Sequence, residues 1–79
     1  MEGLPYPVDG LARLSRRERE VLARAAEGLT NAQIAAELHV STHAVKFHLA
    51  GVYRKLGVVN RTEAVARYLR SLVATSPPA

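Results

Sequence analysis

The stretch "ELHVST" leaves almost no chain between two helix signals. The apolar pattern of Ile34, Ala35 and Leu38 runs out near Leu38, and Ser41, a strong N-cap residue, already announces the next helix. Only His39 and Val40 lie between them. Helices joined by so short a connection cannot lie comfortably antiparallel; they cross steeply, as in a helix-turn-helix. Val40 and Val45 stand at the two positions of a hydrophobic staple, which fixes the entry angle of the second helix further. In such a pair the second helix is the one able to project into a major groove.

The flanking sequence carries the same punctuation. Ser15 with Glu18 three residues on makes a capping box, and Val21, Leu22, Ala25 and Ala26 then repeat on one apolar face until Gly28 supplies a left-handed stop. Thr30 with Gln33 makes a second box, with Leu29 and Ile34 at staple positions. The third helix is expected to reach about Leu56, with Gly57 as its stop. A fourth is expected to start at Asn60, boxed by Glu63, and to run towards Val73. No two-residue alternation suggests a sheet. The expectation is an all-α fold, a small four-helix bundle containing a helix-turn-helix, over residues 14–73. Residues 1–13, with two prolines, two glycines and no sustained period, read as a flexible arm or linker, and 74–79 (ATSPPA) as a disordered tail.

A chain of 79 residues is about the size at which one core can hold a domain together without staples. It has no cysteine, so disulfides and thiolate metal sites are excluded. No apolar run approaches the ~20 residues needed to cross a membrane, and the N-terminus lacks a signal-peptide layout. The expected location is the cytoplasm. Charge is unevenly placed. Residues 1–40 hold Arg13, Arg16, Arg17, Arg19 and Arg24 against six acids, a net of −1. Residues 41–79 hold Lys46, Arg54, Lys55, Arg61, Arg67 and Arg70 against Glu63 alone, a net of +5. Such asymmetry points towards nucleic acid, an acidic protein or a membrane surface. No segment has the bulky apolar anchors of a membrane-surface helix, so a membrane is not an expected partner.

At 3.6 residues per turn, Val45, Leu49, Val52 and Leu56 of the third helix share one stripe and are expected to face the bundle. His43, Lys46, Phe47, Ala50, Tyr53 and Arg54 then fall mostly outward. Lys46 can reach a phosphate or a guanine edge; Phe47, and Ala50 at very close approach, can touch a thymine methyl. Partial burial under a neighbour is the competing reading of Phe47. The start of the second helix offers backbone donors at Thr30, Asn31 and Ala32 together with the partial positive charge of the helix end, which suits phosphate as well as ordinary capping. Lys55 and Arg61 flank the next turn and are candidates for the same backbone or for plain solvation.

His39, His43 and His48 do not form a metal set, because 43 and 48 are five apart rather than the i, i+4 pair that shares a helix face. There is no nucleophile–base pair, no paired carboxylates and no phosphate-cradling glycine loop, so neither an enzyme nor a cofactor is expected. The leading reading is a module that binds double-stranded DNA. Its rival is a helical protein-interaction domain whose basic half docks an acidic partner.

The segment "LSRREREVLARAAEGLTNAQIAAELHVSTHAVKFHLAGVYRKLGVVNRTEAV" (Leu14 to Val65) closely resembles the LuxR-type helix-turn-helix domain, the DNA-binding end of many bacterial response regulators and quorum-sensing activators. "REREVL", "EGLTNAQIAAEL", "VKFHL", "RKLGV" and "NRTEAV" occur in the family's order and spacing. The resemblance implies sequence-specific transcriptional regulation, with the third helix (42–56) in the major groove and the fourth as the usual dimer contact. By position, Lys46 and Phe47 match the principal recognition-helix contacts, Ala50 a position often polar, and Thr30 and Asn31 the scaffold-helix start where phosphate is held. Glu18 and His48 match structural positions.

Three departures stand out. The family often has Thr where Ala44 stands, and Ala50-Gly51 replaces residues that are commonly polar. Gly51 is expected to cost the helix about 1 kcal/mol relative to Ala, and selectivity is expected to lean on Lys46, Phe47, His43 and DNA shape. On the fourth helix, Val65, Leu69 and Leu72 are the expected homodimer contact, against the alternative that the whole stripe packs inside. A receiver or sensor domain in a longer natural chain would suit the N-terminal arm.

Overall fold

The computed structural model describes residues 10–74. Residues 75–79 of the expected tail (74–79) and the first nine residues of the expected arm lie outside them. The described chain is a short 3-10 helix at Gly10–Arg13 followed by α1 (Arg16–Ala26), α2 (Asn31–Leu38), α3 (Thr42–Leu56) and α4 (Arg61–Ala74). It has no strand among the described residues. Gly10–Arg13, the last four residues of the expected arm or linker, form one turn of 3-10 helix. Gly10 is buried with its Cα against the backbone of Lys55 and Leu56, where a side chain would overlap the Lys55 carbonyl. Leu11 packs against the buried cluster of Leu14, Leu22, Val52, Leu56 and Ala64.

The caps expected from sequence form. Ser15 accepts the Glu18 N–H at 3.0 Å while the Glu18 carboxylate accepts the Ser15 N–H at 2.8 Å. Thr30 and Gln33 repeat the exchange at 3.1 and 2.8 Å. Each such cap satisfies donors that the first turn leaves without partners and contributes about 0.5–2 kcal/mol. At α4 the box is modified. Asn60 accepts the Glu63 N–H at 2.9 Å, but the Glu63 carboxylate reaches past Asn60 to the N–H of Val59 at 3.2 Å.

Three helix ends close in one way. Leu29, Val40 and Val58 each return an N–H to the carbonyl five residues back, those of Arg24, Ala35 and Tyr53, at 3.0–3.3 Å. Each follows a residue with positive φ: Gly28 at 91°, His39 at 59° and Gly57 at 71°. Each of the three apolar residues then turns into the core, the hydrophobic contact that accompanies a Schellman end. His39 is therefore standing at a glycine position, and that backbone shape is what turns α2 into α3 within three residues.

Two clusters make the interior. Val21, Ala25, Ile34, Ala35, Val45 and Leu49 bring α1, α2 and α3 together; Leu14, Leu22, Val52, Leu56 and Ala64 join α1, α3 and α4. Tyr53 and Val65 pack against both. All four residues of the expected α3 stripe are buried. Full burial of such side chains stabilises by about 1.5–3 kcal/mol each, which is what holds α3 with its other face outward. Tyr53 departs from the expected outward set: it is half-buried at the junction of the clusters, its ring being large enough to reach back over the edge of the helix.

Candidate nucleic-acid interface

The outward face of α3 presents His43, Lys46, Phe47, Ala50 and Arg54, all exposed. Phe47 is 71% exposed, which decides against the reading of partial burial. Its ring stands T-shaped to that of His48, with centroids 5.7 Å apart at 72°. His48 itself is half-buried at the margin of the apolar stripe. Neither Lys46 nor Arg54 has an ion-pair partner among the described residues, so both cations are available to an outside anion. The helix begins at Ser41, whose hydroxyl accepts the Ala44 N–H at 3.0 Å.

Gly51 is not part of that face. It is buried on the opposite side, with the Glu18 carboxylate lying where a methyl group would go. The expectation that Ala50-Gly51 removes two polar readers is corrected to one position, Ala50. Gly51 lets α3 approach the start of α1 closely.

Glu18 is the one buried charged residue among those described, at 8% exposure. Beyond its capping role it receives the Lys55 ammonium at 2.9 Å. Lys55 thus joins the end of α3 to the start of α1, and sequence spacing offered no sign of that pairing. Arg61 also has partners inside the protein. Its guanidinium donates to Asn31 Oδ1 at 2.7 Å and to the Leu29 carbonyl, across the gap between the starts of α4 and α2. Thr30 is exposed and Asn31 half-buried. The Thr30 hydroxyl accepts from Gln33 and keeps its own proton to donate, and the N–H groups of Asn31 and Ala32 have no acceptor among the described residues.

On α4, the three expected dimer residues separate. Val65 is half-buried against both clusters, whereas Leu69 and Leu72 are 45% and 51% exposed and Val73 adjoins them at 72%. Among the described residues no three His, Asp or Glu side chains converge to hold a metal ion, and no helix is long and apolar enough to cross a membrane.

A three-residue turn between two helices, the second with an exposed face that carries Lys46 and Arg54, supported by one helix before and one after, defines the helix-turn-helix class. Known proteins narrow it. Residues 12–68 match the family model described as bacterial regulatory proteins, luxR family. The chain is 52% identical over 61 residues to the probable transcriptional regulatory protein SgaR of Hyphomicrobium methylovorum, covering 77% of this chain and 29% of that protein. It is 44% identical over 70 residues to the transcriptional activator protein BjaR1 of Bradyrhizobium diazoefficiens, covering 89% and 28%. Among solved structures, the response regulator ChrA of a heme-sensing two-component system superposes with a TM-score of 0.65 at 45% identity, covering 85% of this chain and 32% of that one. The chain belongs to the LuxR family of bacterial regulatory proteins. It spans less than a third of the length of those relatives.

Proposed function

We propose that this chain is the DNA-binding module of a transcription regulator, reading duplex DNA with α3 in the major groove and working in the cytoplasm. One observation carries the reading. The helix after the three-residue turn buries Val45, Leu49, Val52 and Leu56 and leaves Lys46, Phe47 and Arg54 uncovered on its other side, the two cations without an ion-pair partner among the described residues. A solvated surface helix has little reason to expose a phenylalanine beside a lysine; a helix that meets base edges and phosphates has one. Lys46 is the central contact, Phe47 and Ala50 meet apolar base edges, and His43 and Arg54 extend the face towards the two strands. Thr30 and Asn31 at the start of α2 meet the phosphate backbone. The neighbouring Lys55 and Arg61 hold their helices in place from within.

The module acts as a dimer through the outer face of α4, where Leu69 and Leu72 lie exposed. In a longer protein it would follow a receiver or sensor domain, as the short share of each relative that it covers suggests. The test is selection of bound sequences from random duplex DNA, followed by affinity measurement across salt. Specific binding that weakens steeply with salt, and that Lys46→Ala reduces without loss of helix, is the expected result. Equal affinity in the variant would remove α3 from the interface. Salt-insensitive binding or none would favour a protein partner.

A further inference from the structure

Arg61 is the first residue of α4, an awkward place for a cation, because the partial positive charge of a helix start disfavours it. Its guanidinium has acceptors instead: Asn31 Oδ1 at 2.7 Å and the Leu29 carbonyl. Both belong to the threshold of α2, and Leu29 also packs against the cluster shared by α1, α2 and α3. A guanidinium carries donors only, so the Asn31 carboxamide must turn its oxygen to Arg61 and hold its nitrogen on the far edge. Because Arg61 and Asn31 are both half-buried, the pair is shielded from the solvent competition that weakens exposed contacts.

We propose that Arg61 is a positioning residue of the DNA-binding face and not itself a DNA ligand. Resting on the DNA-binding reading above, it makes α4 a strut for the start of α2. Two bonds from one planar group fix the distance between those helix ends and the rotation of the Asn31 amide. They thereby fix the height of the α2 start relative to the reading face of α3. Since α4 carries the exposed leucines, the same strut links the outer face of α4 mechanically to the part of the domain that meets the DNA backbone.

The test compares Arg61→Gln, Arg61→Lys and Lys46→Gln in the full chain, by fluorescence anisotropy on a selected duplex across a salt series. Each variant is measured well below its own melting temperature. Lys46→Gln should flatten the plot of log affinity against log salt by about 0.9, one phosphate contact's worth. Arg61→Gln should lower affinity about tenfold at every salt concentration and keep the parent slope, as expected for a lost charged hydrogen-bond pair rather than a lost phosphate contact. A slope change matching that of Lys46→Gln would make Arg61 a DNA ligand and overturn the proposal, as would unchanged affinity. Arg61→Lys retains the charge but cannot span both acceptors, so it should fold and still bind several-fold more weakly; parent affinity there would also overturn it. A nitrogen-15 NMR spectrum of the parent without DNA tests the strut on its own. Separate, slowly exchanging Arg61 guanidinium signals support it, and a single averaged signal refutes it. If the parent binds no duplex, the DNA-binding reading fails while the spectrum still decides the strut.

Discussion

The Lys55 ammonium lies 2.9 Å from Glu18 Oε1, and the same carboxylate accepts the Ser15 N–H that opens α1. One buried side chain therefore caps a helix and anchors the end of another. Burial alone would raise the Glu18 pKa, but the Lys55 and Ser15 hydrogen bonds and the Lys55 charge outweigh it and hold the group below its ordinary 4.5. A carboxyl with a depressed folded value contributes stability that is complete above the unfolded value and is lost as pH falls through the folded one. Glu18→Gln should therefore destabilise the domain by about 1.5–3 kcal/mol at neutral pH. The gap between parent and variant should close on acidification below the ordinary carboxylate range. Denaturant titrations near neutrality and in acid check this; a gap of equal size at both would show that the charge contributes nothing.

Gly51 depends on that carboxylate. Replacing a mid-helix glycine by alanine ordinarily stabilises by about 1 kcal/mol. Here the added methyl would collide with a carboxylate whose other oxygen two hydrogen bonds, from Ser15 N–H and Lys55, hold in place. Gly51→Ala is expected to destabilise by about 1–3 kcal/mol. In a Glu18→Ala background, where the space is open, the same change should stabilise. A thermal double-mutant cycle measures the difference, and additivity would place the carboxylate elsewhere.

These two residues mark where the sequence could be read and where it could not. The apolar stripe of α3, the two complete capping boxes and the stop at Gly57 were legible because each depends on neighbours within a turn or two. Phe47 was ambiguous, since its exposure depends on whether another helix comes close enough to cover it. Gly51 read as a defect in a reading helix because its reason, Glu18, stands far back in the chain. Lys55 and Arg61 read as candidate contacts to the DNA backbone, or as solvated cations, on the same account: their acceptors inside the protein lie 37 and 30 residues away. His39 was legible as a turn residue but not as left-handed, because the residue type that advertises that shape is glycine.

At His39 the backbone takes φ 59° and ψ 43°, with no glycine to relieve the contact between its Cβ and the chain. Left-handed geometry costs an L-residue about 1–2 kcal/mol, part of which glycine's greater freedom in the unfolded chain offsets. His39→Gly should accordingly stabilise by about 0.5–1 kcal/mol, raising the melting temperature by a few degrees. His39→Val should destabilise, since a branched Cβ tolerates this region least. Differential scanning calorimetry distinguishes the pair; a melting temperature lowered in His39→Gly would mean that the imidazole makes a stabilising contact worth more than the strain.

The outer face of α4 gives the last test, because its residues separate by depth. Val65 packs against both core clusters, so Val65→Glu buries an unpaired charge and should unfold the domain. Leu69 and Leu72 project outward, so Leu69→Glu should shift stability by no more than about 0.5 kcal/mol. In a symmetric pair the same patch meets itself, and the substitution would place two like charges together at the contact. Leu69→Glu should then keep parent affinity for a single half-site but lose the cooperative gain on a two-half-site duplex, with a monomer mass by sedimentation at concentrations where the parent self-associates. If Leu69→Glu and Leu72→Glu both bind the paired site as the parent does, the copies meet through another surface.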